Sequence, residues 1–273
     1  LKRMGKKDMR EFLRILLSNA YDLILDNLED GPLAGALAAD AVRGAFAGPR
    51  SPGTVFTLMY RLSQGGGAQL PIGGMGAVSA AFEAAARAAG VEIRTGTGVA
   101  HVCVENDRAA GVVLEDGTEI AARAVLSNAG PMPTMKLAGA EHYDVEMVRR
   151  MRNQRCKGTA AKVNLVLSGA PVFTGLSPEL TAGRLLIAPS AAYVERAFNP
   201  AKYGEMPKNP VIAMVIPSLT DPALARGGQH VLSAVVSSVP YGLQGGWHEA
   251  ARAELAAITL ATLEKYAPGI GAM

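Results

Sequence analysis

The sequence predicts a mixed α/β chain of α+β character, in which an antiparallel β-meander and a second sheet are separated by helices. Three observations carry this expectation. Apolar residues fall at helical spacing through the first 65 residues; short alternating strands joined by tight turns occupy residues 99 to 126; and four more strand-like stretches precede a final helix. At 273 residues and 49% hydrophobic content, the chain is long enough to bury one large core or two.

Between residues 8 and 28, Phe12, Leu13, Leu16, Leu17, Leu23, Ile24 and Leu28 recur at three- and four-residue intervals, predicting one helix face that ends at Gly31-Pro32. A second helix is expected from Leu33 to Phe46 and a third after Ser51-Pro52, where proline suits a first turn. Val78, Ala81, Phe82, Ala85 and Ala89 form the stripe of a helix from Ala77 to Ala89, with Glu83 and Arg87 as an exposed pair and Gly90 as its stop. Residues 91–94 read as a short strand. Ala100, Val102 and Val104 read as a longer one that turns at Asp107. Gly111 to Leu114 meets the hairpin signal Asp116-Gly117 and Ile120 to Leu126 returns, completing a three-stranded meander. Beyond Pro133, strands are expected at Ala160 to Leu167, Arg184 to Ala188, Val211 to Ile216 and Val231 to Val239. Residues 247–266 form a last helix, with Ala253, Ala257, Leu260 and Leu263 inside and Pro268 ending it.

Composition excludes several functions. The net charge is +3, only 19% of residues are charged, and the basic ones are scattered, so nucleic acid is not an expected partner. Lys2, Arg3, Lys6, Lys7 and Arg10 read as a solvated helix start, and membrane contact is not expected. Cys103 and Cys156 match no metal-ligand spacing, which points to a reduced, cytoplasmic setting and to no metal. No apolar run reaches the ~18 residues that span a bilayer.

The glycine cluster in "LPIGGMGAVS" (70–79) raises the question of a nucleotide. Gly74-Met75-Gly76 with Ser79 approaches a dinucleotide fingerprint, which joins a buried strand to a helix whose N-terminal amides meet a pyrophosphate. Here Leu70-Pro71-Ile72 is too short for that strand, Ser79 replaces the third glycine, and no acidic residue follows at the proper distance. The cluster therefore reads as a loop-to-helix joint. Gly96-Thr97-Gly98 precedes a strand and also fails. No nucleophile elbow, phosphate loop or metal-spaced histidine pair occurs, His101 and His248 read as packing and solvated residues, and no catalytic residue is identified.

The order of elements, together with "FAGPRSPGT" (46–54), "GGMGAVSAAFEAAARAAGVEIRTGTGVAHV" (73–102), "AAGVVLEDGTEIAARAVLSNAGP" (109–131), "KGTAAKVNLVLSG" (157–169) and "AKYGEMPKNPVIAMVIPSLTDPALARGGQHVLS" (201–233), resembles the phytoene desaturase-like flavoproteins of the amine oxidase group. Within that group it is most similar to the pyridine nucleotide-disulfide oxidoreductase-domain subgroup. The resemblance implies a helical part of a substrate domain over 1–71, a partial FAD-binding domain holding the meander over 72–132, and the remainder of the substrate domain over 133–273. It also implies that the Val99 backbone meets the FAD adenine, that Ser127, Asn128, Ala129 and Gly130 lie beside the nucleotide, and that Gly73, Gly74 and Gly76 lie near the flavin. The implied activity is hydride transfer from a small apolar or amine-like substrate to FAD. Phe56, Met59 and Tyr60 are expected to be core, with a roof over a substrate cleft as the alternative. The family's opening Gly-x-Gly-x-x-Gly unit and closing glycine-rich segment have no counterpart here. A central fragment is therefore expected, one that holds FAD only with the missing flavin segments or a partner chain; the alternative is a non-catalytic interaction module.

Overall fold

The amphipathic run after residue 8 forms two helices, not one: α1 (Lys6–Leu17) and α2 (Ala20–Leu25). Asn19 is the cause. Its side chain accepts the Asp22 backbone N–H at 2.8 Å and donates to the Asp22 carboxylate at 2.7 Å, so a new helix starts where the single one was expected to continue. α3 (Pro32–Val42) opens on proline, and α4 (Thr54–Ser63) follows the Ser51-Pro52 turn. α5 (Gly74–Ala88) is stopped by Gly90 at φ +81° and carries the Glu83–Arg87 pair at 2.9 Å. The meander consists of β1 (Val99–Glu105), β2 (Arg108–Leu114) and β3 (Glu119–Ala121), antiparallel throughout. Next come α6 (Pro131–Ala138), α7 (Val145–Asn153), β4 (Ala160–Leu167), α8 (Pro178–Thr181), β5 (Leu185–Ile187) and α9 (Ala191–Phe198). β6 (Ile212–Val215), β7 (His230–Ser237) and α10 (Glu249–Glu264) complete the chain. The computed structural model describes residues 5–63, 70–154 and 158–273; Lys2, Arg3 and Cys156, singled out above, lie outside them.

By contacts the chain divides into two compact units, Leu1–Ala80 with Lys157–Met273, and Ala81–Cys156. α6 packs on β1 and α7 on α6, which draws both helices into the smaller unit. In the larger unit the sheet runs β4-β7-β6-β5, every pair antiparallel. Ile212, Met214, Leu232 and Ala234 point to one face, where they pack with Leu263 of α10 and with Ala267 and Ile270 just beyond it. A second core joins α2, α3, α4 and α9 through Ala20, Ala34, Ala38, Val55, Leu58 and Val194. Long-range polar links set these helices. Thr54 Oγ1 accepts the Ala20 N–H at 2.8 Å, and Asp30 accepts the Ala191 N–H at 2.6 Å at the start of α9.

Two expectations need correction here, and a third residue gains a role. The buried face of α10 is Ala251, Leu255, Thr259, Thr262 and Leu263, so Ala253 and Ala257 are exposed. Thr259 and Thr262 tolerate burial because their hydroxyls donate to the carbonyls of Leu255 and Ile258. His248 is exposed but also caps α10, its Nδ1 accepting the Ala251 N–H at 3.2 Å. Phe56, Met59 and Tyr60 are exposed on α4 and are not core.

The smaller unit has a thin interior, with Leu114 and Met135 as its buried apolar side chains among the described residues. Residues 91–94 form no strand, and the third strand stops at Ala121 instead of reaching Leu126. Both segments have strand-like sequences, yet no neighbouring strand among the described residues offers them a ladder. The stripe on α5 is likewise uncovered: no residue of that helix is buried, and Phe82 is 75% exposed.

Candidate functional site

The glycine cluster folds as a turn into α5. Gly73 and Gly74 take φ of +80° and +71°, a conformation that side chains resist, so glycine is required at both. The Gly73 N–H donates to Asp221 Oδ2 at 2.6 Å, and Asp221 Oδ1 accepts the Ala223 N–H at 3.1 Å. Asp221 belongs to the loop between β6 and β7. In that loop Ser218, itself buried, accepts the Val231 N–H at 2.9 Å and lies 3.1 Å from His230 Nδ1. The turn is thereby tied to the end of the second sheet. Gly76 differs from its two neighbours, since a Cβ there would meet open space. The sequence reading missed Asp221, although Asp221-Pro222 is a turn signal of the Asx type.

In the smaller unit, Val99 opens β1 opposite Leu114, with an irregularity in the ladder between Val99 and His101. Ser127 to Gly130 leave the extended segment with little bulk. The Ser127 and Thr134 hydroxyls share a hydrogen bond of 2.7 Å, and Gly130, at φ +85°, caps the start of α6 by accepting the Thr134 N–H at 3.0 Å. Asn128 and Ala129 are exposed, and the nearest atom to a Cβ built on Gly130 is Pro133 Cδ at 3.9 Å. A flat ligand can therefore approach this backbone closely, which fits one flank of a nucleotide. Beneath Ser127 a cleft of about 340 Å³ is lined by Val102, Val125, Thr134, His142 and Tyr143. Val99 and the 127–130 exit fall in one compact unit, Gly73 and Gly74 in the other.

The larger unit holds a further feature that the sequence reading did not foresee. Opposite α10, the sheet presents Lys162, Asn164 and Val166 on β4, Val231, Ser233 and Val235 on β7, and Ala213 and Val215 on β6. None of these is buried, and Val166 is 65% exposed. The Ser233 hydroxyl donates to Asn164 Oδ1 at 2.9 Å, satisfying both polar groups and leaving a broadly apolar floor. Among the described residues no group of three or more His, Cys, Asp or Glu is placed to hold a metal ion, and no helix is long and apolar enough to cross a membrane.

An alanine-rich helix entering a meander, a small-residue exit, and a separate antiparallel sheet backed by one helix are the layout of an oxidoreductase of the flavin-binding amine oxidase type. The chain belongs to that family: the one described as Flavin containing amine oxidoreductase matches residues 12–179, more than half of its 273 residues. It is 32% identical over 278 residues to the Mus musculus pyridine nucleotide-disulfide oxidoreductase domain-containing protein 2, a match covering 95% of this chain and 48% of that one. Phytoene desaturase of Fusarium fujikuroi is 29% identical over 196 residues, covering 70% of this chain and 31% of its own. An oxidoreductase of known structure from Methanosarcina mazei shares the fold at a TM-score of 0.64 and 20% identity, over 98% of this chain and 59% of that one. The chain thus spans about half the length of the curated relatives it matches.

Proposed function

We propose that this protein acts as an FAD-dependent oxidoreductase of phytoene desaturase type, taking an apolar or amine-like substrate on the open face of its second sheet. The observation that carries the reading is that face itself: Val166 on β4 with Val231 and Val235 on β7 make a water-excluding surface for an apolar body. When bound, the flavin supplies the hydride acceptor, and the chain's part is to orient the substrate and keep the reaction dry. Val99 and residues 127–130 would flank the adenine-bearing part of FAD, and the Gly73-Gly74 turn with Gly76 its flavin part. Gly130 lets the backbone come close, and Asp221 holds the turn in place.

A second reading has its own support. Leu126 is fully exposed in an extended segment that belongs to no sheet among the described residues, which favours a non-catalytic interaction module that needs a partner chain. Titration of the purified protein with FAD, followed by flavin fluorescence, separates the two. Stoichiometric binding that weakens in Gly130→Val is the expected result. A colourless protein that self-associates, and that Gly130→Val leaves unchanged, would overturn the enzyme reading and uphold the module.

A further inference from the structure

Three guanidinium groups gather around one carboxylate at the end of α3. Asp40 Oδ1 lies 3.2 Å from an Arg184 guanidinium nitrogen and 3.6 Å from one of Arg61, so a single oxygen serves two arginines. Arg43, one turn after Asp40, joins neither pair, nor any other ion pair among the described residues. The Nε of Arg61 is buried, with no hydrogen-bond partner among the described residues. Leaving such a donor unsatisfied is costly, more so on a charged group. The cluster therefore has unclaimed donors and surplus positive charge. Burial first, then Arg184 and Arg61, lower the Arg43 guanidinium from its ordinary value, with Asp40 opposing, as expected where cations crowd one another.

The position of Arg43 connects this cluster to the substrate surface. With Val42, Val194 and Phe198 it lines a small cavity of about 40 Å³ that also touches Val235 and Ser237. Val235 stands on the open sheet face, paired across the strands with Lys162. An apolar body lying on that face thus has a cationic group at its edge.

We infer that Arg43, Arg61 and Arg184 form an oxyanion site that takes the carboxylate or phosphate head of an otherwise apolar substrate. This rests on the open face being the substrate surface, and it narrows the substrate class to amphipathic anions. A guanidinium fork matches a planar carboxylate or a phosphate edge with two parallel N–H···O bonds, and an incoming anion would supply acceptors to Arg43 and to the Arg61 Nε.

The test is calorimetric titration of the whole chain with decanoate, decanol and inorganic phosphate, repeated on Arg43→Gln and Arg184→Gln. Arg43 is in no ion pair among the described residues, so Arg43→Gln is expected to keep the parental far-ultraviolet circular dichroism; Arg184→Gln supplies a second reading. Decanoate should bind about tenfold or more tightly than decanol, as expected for charge-assisted hydrogen bonds, phosphate should compete with it, and the preference should vanish in both variants. Equal affinity for decanoate and decanol, or a preference that both variants retain, overturns the oxyanion site while leaving the apolar surface standing. If neither ten-carbon compound binds but phosphate binds in an Arg43-dependent way, the surface reading fails and the arginine site survives as a site for free anions.

Discussion

Helices α3 and α5 are built from nearly the same material and meet opposite fates. Both are rich in alanine and carry glycine near the start, yet α3 buries Ala34, Gly35, Ala38, Ala39 and Ala41 while α5 buries nothing. The difference lies in their neighbours. α3 packs against α4 and α9, with Gly35 so close to the Ala188 backbone that no side chain fits. Among the described residues α5 has no such partner, and Phe82 stands in solvent. Periodicity therefore announces a face that can be buried, and only a second surface buries it.

The contrast can be broken most sharply by truncation. Leu58→Ala, on the α4 face turned toward α3, should cost about 2–5 kcal/mol in denaturant unfolding, because it removes a buried side chain and leaves a cavity. Phe82→Ala should change stability by no more than about 0.5 kcal/mol, as surface substitutions do. A loss at Phe82 comparable to that at Leu58 would show that α5 is covered. The glycines give a smaller, signed version. Gly35→Ala forces a methyl into the Ala188 carbonyl and should destabilise by about 1–3 kcal/mol, whereas Gly76→Ala enters open space within a helix and should stabilise by about 0.5–1 kcal/mol. Equal signs at the two positions would remove the distinction.

The smallest effect is local and depends on pH. Glu264, at the end of α10, accepts backbone N–H groups from Gly269 at 2.6 Å and Gly271 at 3.0 Å, and these bonds hold its carboxyl below its ordinary value of 4.5. A depressed carboxylate pKa contributes stability above the unfolded value and loses it as pH falls through the folded one. The protection factors of the Gly269 and Gly271 amides, taken against intrinsic exchange at the same pH, should therefore fall as the solution is acidified below about pH 4.5, with little change elsewhere. Glu264→Gln should show fast exchange at neutral pH; slow exchange in that variant would assign the protection to something other than the carboxylate.

Legibility in the sequence followed the same division. β4 to β7 could be read because each is a short run rich in branched apolar residues between Pro- or Gly-bearing loops, and burial alternates along the strands between a covered and an open face. The meander was legible from its turns, since Asn106-Asp107 and Asp116-Gly117 demand backbone conformations that few residues accept. Helix α9 escaped notice because eight residues between strands give too short a period, although Ser190 caps it locally, and Asp30, which holds its first N–H, lies far away in sequence. The break at Asn19 was written in a local cap that the apolar spacing masked. At the site, the glycine turn was visible as a motif. Its carboxylate anchor, the open sheet face and the Arg43–Arg61–Arg184 gathering were not, because each joins residues that only the fold brings together.

The hydrogen bond from Gly73 to Asp221 closes a span of 148 residues. Contacts so distant along a chain are among the last to be entropically affordable, so the turn takes its fixed position only after the strands beside Asp221 have assembled. During synthesis the residues around Gly73 emerge well before Asp221, and the turn stays unanchored until that residue follows.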